Sequence, residues 1–222
     1  MRRSLHVVSS AIVLALASGC GAESGGKAPA AAKAAPTWVT VENPPPGNKP
    51  NDKVRHVDFT LRHPSTWTRD EGFRERDDRA FVRVHRRGEP HPYDLVFQVR
   101  SFFRAEPGRP VATFIDGVAE SLTSVTPERA AAGDVKKLLR KGPTTVAGRP
   151  AQEVVVLESS RTRTGATLRL WRRMVLIELA PTEWGALALH AWIGGIAEGE
   201  DPEAPDVQAE MQAVFDSLTL KP

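Results

Sequence analysis

The sequence predicts an α+β domain in which two helices pack on a curved antiparallel sheet of about six strands. Runs of alternating apolar and polar residues recur between residues 57 and 193, as expected for half-buried strands. Short turns join neighbouring runs, and strands linked so closely must be antiparallel. Residues 110–122 and 204–218 show helical spacing of apolar residues. Strands grouped together with few helices favour the α+β class.

The first strands precede the first helix. Residues 57–61 alternate apolar and polar side chains, and the run stops at Pro64, which lacks the N–H that a continuing ladder needs. Two more strand-like runs follow at residues 80–86 and 93–102. The turn-rich GEPHP between them predicts a hairpin.

A helical pattern begins at Pro110, where proline in the first turn loses no hydrogen bond. The following apolar residues recur at helical spacing and predict a stripe that faces the core. They are Val111, Phe114, Ile115, Val118 and Leu122.

The second half of the domain is predicted to contain four strands and a terminal helix. The strand-like runs cover residues 138–146, 152–159, 167–180 and 184–193, separated by short turns. The helix, at residues 204–218, carries one apolar stripe. That stripe consists of Val207, Met211, Val214, Phe215 and Leu218.

The chain begins with the features of an export signal. Arg2 and Arg3 precede an apolar run of about eleven residues, which is too short to span a bilayer, since that needs about twenty. The stretch ASGC at residues 17–20 resembles the lipobox of bacterial lipoproteins, with Ala17 where Leu is commoner.

The lipobox resemblance implies that residues 1–19 are a lipoprotein signal peptide and that Cys20 carries fatty acyl chains such as palmitate. Acylation would explain an unpaired cysteine, because a thioether cannot form a disulfide. Two acyl chains hold a protein stably at a membrane, whereas one does so only marginally. The alternative is an ordinary secretory peptide followed by a free thiol.

Residues 20–52 are predicted to be the lipidated cysteine and a flexible tether, and residues 53–222 a single α+β domain. The tether is rich in Ala, Gly and Pro and has few large apolar residues, so it cannot bury enough surface to offset chain entropy. Residues 38–41, WVTV, are the exception. They are expected to form an isolated strand or a segment that docks on the domain.

Charge and cysteine content exclude several classes of function. The chain has 30 Lys and Arg against 27 Asp and Glu, and Arg2 and Arg3 leave with the signal peptide. The remaining surplus is too small to indicate nucleic-acid binding. Because Cys20 is the sole cysteine, cysteine proteases, zinc fingers and CxxC redox sites are excluded.

A second resemblance concerns the folded domain. Residues 59–67, FTLRHPSTW, resemble the strand followed by Pro-x-x-Trp that opens the PsbP-like fold, which includes LpqN-type lipoproteins and Mog proteins. The turn at residues 146–150 and the helix end at residues 215–218 are similar too. Members of that fold mostly act as assembly, stabilising or binding factors, so the resemblance implies a non-enzymatic role and no particular site residues.

The histidines are the natural candidates for catalysis or metal binding. His85 and His91 flank the predicted hairpin turn, but a metal site needs at least one further ligand. Glu89 and Asp94 are nearby, yet solvated histidines among arginines are the simpler hypothesis. His190 is expected to be a hydrogen-bonded residue of a sheet face. The chain has no GxSxG elbow and no phosphate-binding loop, so we assign no catalytic residue, metal ligand or cofactor.

Arginines on two predicted strands are the candidate partner-binding residues. With one tryptophan they could form a cationic, aromatic surface for an acidic partner or a lipid phosphate. The alternative is a solvated face of alternating charges. The candidates are Arg83, Arg86, Arg87, Arg169, Trp171, Arg172 and Arg173.

These observations predict a membrane-anchored envelope lipoprotein that docks to or stabilises an unidentified envelope protein and is not an enzyme. The alternative is a carrier that holds a small apolar ligand or lipid between the sheet and the helix at residues 111–122. The domain is expected on the exported side of the membrane. Gly21 stands where an Asp retains lipoproteins at the inner membrane of enteric bacteria, which favours the outer membrane in a Gram-negative cell.

Overall fold

The structure is a computed structural model that describes residues 37–43, 57–72, 80–87, 94–103, 108–162, 164–179 and 185–221. The strands in these ranges are β1 (Trp38–Glu42), β2 (Phe59–Pro64), β3 (Thr68–Arg69), β4 (Ala80–Arg86), β5 (Asp94–Phe103), β6 (Val135–Val146), β7 (Arg149–Arg161), β8 (Thr167–Ile177), β9 (Gly185–Ile196) and β10 (Thr219–Leu220). A 3-10 turn covers Val111–Thr113, and the helices are α1 (Ile115–Thr123), α2 (Pro127–Ala131) and α3 (Pro205–Asp216).

Seven strands form the main sheet, in the order β3-β4-β5-β9-β8-β7-β6, and every neighbouring pair is antiparallel. The long hairpin of β6 and β7 turns at Ala147 and Gly148, with φ of 51° and 72°. Positive φ at both central residues matches the twist of hairpin strands. Among the strands that the structure describes, β6 has no neighbour other than β7 and is an edge strand.

A second sheet consists of β1, β2 and β10, with β2 in the centre and both neighbours antiparallel to it. β1 lies within the predicted tether, where WVTV was expected to be a strand or a docking segment. It pairs with β2 from Trp38 opposite Pro64 to Glu42 opposite Thr60, and Val41 is buried in the main core. The folded part therefore includes this stretch as well as the predicted domain.

One face of the main sheet, the α3 face, packs against α3 and the second sheet to form the main hydrophobic core. Met211, Val214 and Phe215 of α3 are buried there. The ring of Phe215 meets that of Phe97 edge to face at 4.9 Å, a favoured aromatic geometry.

The opposite face, the α1 face, is partly covered by α1 and the 3-10 turn. Ile115 and Ala119 pack against Val154 and Val156 of β7, and Val111 packs against Leu176 and Ala188. β7 is thus covered on both faces, which explains its continuous apolar run VVV at residues 154–156.

The predicted α+β class, with helices packed on an antiparallel sheet, is confirmed. The main sheet has seven strands where about six were expected. The first helix is shorter than its apolar stripe, because Val111–Thr113 forms the 3-10 turn. Unpredicted elements are β3 and β10, which are too short for periodicity, and α2, which buries no side chain. Residues 1–36, including Cys20, lie outside the described residues.

Candidate docking surface

The seven predicted partner-binding residues do not form one surface. Consecutive side chains of a strand point to opposite faces, so the sheet separates Arg172 from Arg173. Trp171, which is 1% exposed, and Arg86, which is 3% exposed, are buried on the α3 face. The exposed cationic surface expected from the sequence is therefore divided, and two of its members are inside the protein. Partner binding by the exposed members stays a prediction.

Arg86 contributes to the attachment of α3. Its Nε lies 3.5 Å from Oε2 of Glu210 in α3, and Oε1 of Glu210 accepts a hydrogen bond of 2.5 Å from the Trp67 indole. A buried cation of this kind is stabilised by its carboxylate partner. Its place in the structure indicates a role in holding α3 on the sheet.

Arg173 belongs to a second buried network on the α3 face. Its Nε donates to Oε2 of Glu153 at 2.9 Å, and Nε of Arg140 donates to Oε1 of the same carboxylate at 2.7 Å. The guanidinium of Arg173 lies over the Phe215 ring at 4.4 Å. Burial lowers the pKa of Arg140, but hydrogen bonds and charges from Glu153 and Glu203 outweigh it, so that pKa is raised.

Arg83 and Arg172 lie on the α1 face. Arg83 is 3.8 Å from Asp70 and 5.8 Å from the ring centroid of Trp192. Trp192 sits opposite Arg172 in the register of β8 and β9. Arg87 is exposed just after the end of β4. Only Arg169 and Arg172 of the predicted set line the same cleft.

That cleft, the hairpin cleft, lies at the end of the sheet where β7 turns into β8, and it has a volume of about 370 Å³. The turn is closed by Thr162, whose N–H donates to the Ala166 carbonyl at 2.8 Å and whose Oγ1 accepts from the Ala166 N–H at 3.1 Å. Four basic and two acidic side chains line the cleft, so its formal charge is positive. They are Arg129, Lys136, Arg169, Arg172, Asp134 and Glu158.

Two carboxylates serve three of these cations. Glu158 lies 3.1 Å from Arg172 and 3.9 Å from Lys136, and Asp134 lies 2.6 Å from Arg129. Both carboxylates are largely buried, whereas the side chains of Arg129 and Arg172 are 57% and 41% exposed. An incoming acidic group can therefore reach these two cations from solvent.

Arg169 and Leu168 complete the cleft. The Arg169 guanidinium donates to the Glu200 carbonyl at 2.7 Å and so holds the loop after β9. Leu168 is 49% exposed, which places an apolar side chain at the edge of a positively charged cleft. Arg169 also lines a neighbouring cleft of about 690 Å³, whose other wall is acidic. That wall contains Glu198, Glu200 and Asp201.

The sequence did not indicate Lys136, Arg129 or Leu168 as candidates. These residues come together through the register of three strands. Lys136 of β6 lies opposite Glu158 of β7, and Glu158 lies opposite Leu170 of β8. A hairpin centred on Thr164, next to Gly165 with its φ of 85°, would have predicted the second pairing. The packing of α2 beside the sheet had no sequence signal.

Of the two histidines proposed as a metal-binding pair, His85 lies among the described residues and His91 does not. Burial lowers the pKa of His85, Arg87 and Arg83 lower it further, and Asp70 and Asp94 partly offset the decrease. His91 lies outside the described residues, so the possible pair with His85 stays a prediction. Within the described ranges, no group of three or more His, Cys, Asp or Glu side chains could hold a metal ion.

The space between α1 and the sheet bears on the carrier hypothesis. Val154, Val156, Leu176 and Ala188 are at most 1% exposed and contact the side chains of α1 and the 3-10 turn. This is the packing of a filled core.

In the parts of the chain that the structure describes, no helix is long and apolar enough to cross a membrane.

Neither a protein-family model nor a curated protein matches the chain. Solved structures similar to it include LpqN, involved in cell envelope biogenesis of Mycobacterium tuberculosis, at 10% identity and a TM-score of 0.48, over 83% of this chain and 92% of that chain. Cyanobacterial PsbP from Synechocystis matches at 9% identity and a TM-score of 0.46, over 90% and 98%. The Ran-binding protein Mog1p of Saccharomyces cerevisiae matches at 12% and 0.46, over 84% and 96%.

Proposed function

We propose that this chain is a lipid-anchored envelope protein whose domain docks to an envelope protein complex and stabilises it without catalysing a reaction. The membrane attachment rests on the sequence: a short apolar export signal ends at the lipobox-like ASGC, residues 17–20. Lipid on Cys20 holds the domain on the exported side, at the outer membrane if the cell has one.

The hairpin cleft carries the docking proposal. It combines a surplus of basic side chains with the exposed Leu168, and interfaces typically combine an apolar anchor with charges that set specificity. The partner that fits this cleft is a protein segment with acidic side chains around an apolar residue. Its carboxylates would form charge-assisted hydrogen bonds with Arg172 and Lys136, which are stronger than hydrogen bonds between neutral groups.

A site-specific photo-crosslink tests the docking proposal in native cells. A photoreactive amino acid replaces Leu168 in the full chain, and the same amino acid replaces Val39 in a control. Both side chains are exposed, Leu168 at 49% and Val39 at 41%, but Val39 lies in the second sheet. We expect one dominant protein adduct from position 168 and none of that mass from position 39.

Charge reversal then tests the role of the cations. Arg172→Glu should lower the adduct about tenfold or more, since the lost charge-assisted contact weakens binding by about 1.5 to 3 kcal/mol. Lys221→Glu, an exposed cation of the second sheet, should leave it unchanged. Equal adducts from both positions, or adducts to lipid alone, would contradict docking to a protein.

The anchor is tested separately from the docking. Cys20→Ser should abolish incorporation of a fatty-acid label and leave an unprocessed precursor, because the acylated thiol is needed for processing. Normal processing of this variant would contradict the lipoprotein assignment and leave the docking proposal standing.

A further inference from the structure

A third pocket, the α3 pocket, lies on the α3 face, on the other side of the sheet from Arg172 and Glu158 of the hairpin cleft. It has a volume of about 350 Å³ and lies between the N-terminal half of α3 and strands β6 and β8. Polar side chains form most of its wall. The ones that matter below are Arg140, Trp171, Arg173, Glu203, Gln208 and Gln212.

One of the side chains that line this pocket, Trp171, has an unused hydrogen-bond donor. The Nε1 of Trp171 is buried and has no hydrogen-bond partner among the described residues, although Trp171 is one of the most deeply buried side chains of the protein. A buried N–H without a partner costs free energy that an acceptor would recover. An indole N–H can only donate, so the missing partner is an acceptor.

The two arginines of the pocket add further donors. Arg140 and Arg173 each use Nε on Glu153, and each uses Nη1 on one further side chain, Glu203 or Gln212. A guanidinium has five N–H groups, so each arginine retains three more that no hydrogen bond to a described residue uses. Both oxygens of Glu153 are occupied, and this one carboxylate balances only one of the two positive charges.

The remaining charge is balanced at the rim by an exchangeable group. Glu203 contacts Arg140 at 3.0 Å, and both side chains are more than one third exposed. Such an exposed pair contributes little to stability. The first turn of α3, which has no side-chain cap at Ala204, adds the partial positive charge of a helix N-terminus.

We propose that the α3 pocket binds a carboxylate group. The carboxylate accepts hydrogen bonds from Trp171 Nε1 and from Arg140, and it takes the place of the Glu203 side chain. Pro205 and Ala209 form an apolar part of the wall, so a short hydrocarbon chain attached to the carboxylate fits beside them. Two sources share this chemistry: a free short-chain organic acid, and the acidic side chain of a peptide.

Fluorine NMR tests this assignment directly. The full chain, labelled with 5-fluorotryptophan and held in mild detergent, gives one resonance for each of its 5 tryptophans, and loss of one resonance in Trp171→Phe identifies Trp171. We titrate succinate and, separately, a pentaglutamate peptide at constant ionic strength, with sodium chloride as the control. A saturable shift of the Trp171 resonance is expected with at least one of them.

The two probes distinguish the sources. A shift with succinate assigns the pocket to free organic acids, and a shift with pentaglutamate alone assigns it to acidic side chains. No saturable shift with either probe, or an equal shift with chloride, would overturn the proposal. Since Arg172→Glu changes the opposite face of the sheet, it should leave the titration unchanged, so failure here is distinguishable from failure of the docking proposal.

Two rim variants sharpen the test without disturbing the core. Arg140→Gln should weaken binding about tenfold or more, because a charge-assisted hydrogen bond is lost. Glu203→Gln should tighten binding severalfold, because the competing carboxylate is removed. A Glu203→Gln protein that binds no more tightly than the parent would contradict the proposed displacement.

Discussion

Arg172 and Arg173 are neighbours in the chain and yet belong to two different parts of the molecule. The Arg172 side chain is 41% exposed and shares Glu158 with Lys136. The Arg173 side chain is 13% exposed, pairs with the buried Glu153 and lies over an aromatic ring of the core. The same residue type therefore forms a solvent-accessible ion pair on the α1 face and a buried ion pair in the packed core on the α3 face. What differs is the cover that each face receives.

Truncating a buried side chain should lower the free energy of unfolding far more on the α3 face than on the α1 face. Phe215→Ala, on the α3 face, removes a ring packed against Phe97 and Arg173 and should destabilise the protein by about 3 to 5 kcal/mol. Val118→Ala, in the partly covered contact of α1, should cost about 1 to 2 kcal/mol. Urea unfolding followed by tryptophan fluorescence measures both. Equal losses would remove the distinction between the faces.

Substituting Arg172 and Arg173 separately should change the free energy of unfolding by smaller amounts, which differ between the two positions. Arg173→Gln removes a charge-assisted hydrogen bond from a buried carboxylate and should cost about 1.5 to 3 kcal/mol. Arg172→Gln removes an ion pair in which the arginine is 41% exposed. It should lower the free energy of unfolding by less than about 1 kcal/mol. The free energies of unfolding of the two variants, measured side by side, test the comparison directly. A larger loss for Arg172→Gln would reverse it.

The smallest expected effect is a pH dependence on the α1 face. Because the pKa of His85 is lowered in the folded protein, the unfolded chain binds a proton at higher pH than the folded chain. Stability should therefore decrease as pH falls from about 7 through the lowered pKa. His85→Gln should reduce this decrease, and an equally large decrease in that variant would contradict its assignment to His85. Unfolding free energies between pH 7.5 and 5 provide the measurement.

Much of the fold could be predicted because the signals are local. The apolar stripe at residues 207–218 predicted the terminal helix, and the run at residues 152–159 predicted a strand; both elements are present. The place of β1 could not be predicted in this way, because its partner β2 is separated from it in the chain and residues 38–41 alone have no preference for either edge of a sheet. The pairing of two strands that are separated in the chain leaves no periodic pattern of apolar residues in the sequence.

The candidate site was less predictable for the same reason. Arg172 and Arg173 were predicted to lie on one surface, but consecutive side chains of a strand point to opposite faces, and no local signal indicates which face α3 covers. Arg86 and Trp171 were therefore expected at the surface and lie in the core. The hairpin cleft depends on the register between β6, β7 and β8 and on the position of α2. Only contacts between distant parts of the chain determine these features.

The edge strand β6 has a consequence for how copies of the domain behave beside one another. An edge strand presents unpaired backbone groups on which a second copy could add a strand. Four cations lie along β6, at Lys136, Lys137, Arg140 and Lys141, and Pro143 removes one N–H donor from it. Two copies that approach edge to edge meet like charge and an interrupted ladder. Copies of the domain can therefore lie close together without extending the main sheet across this edge.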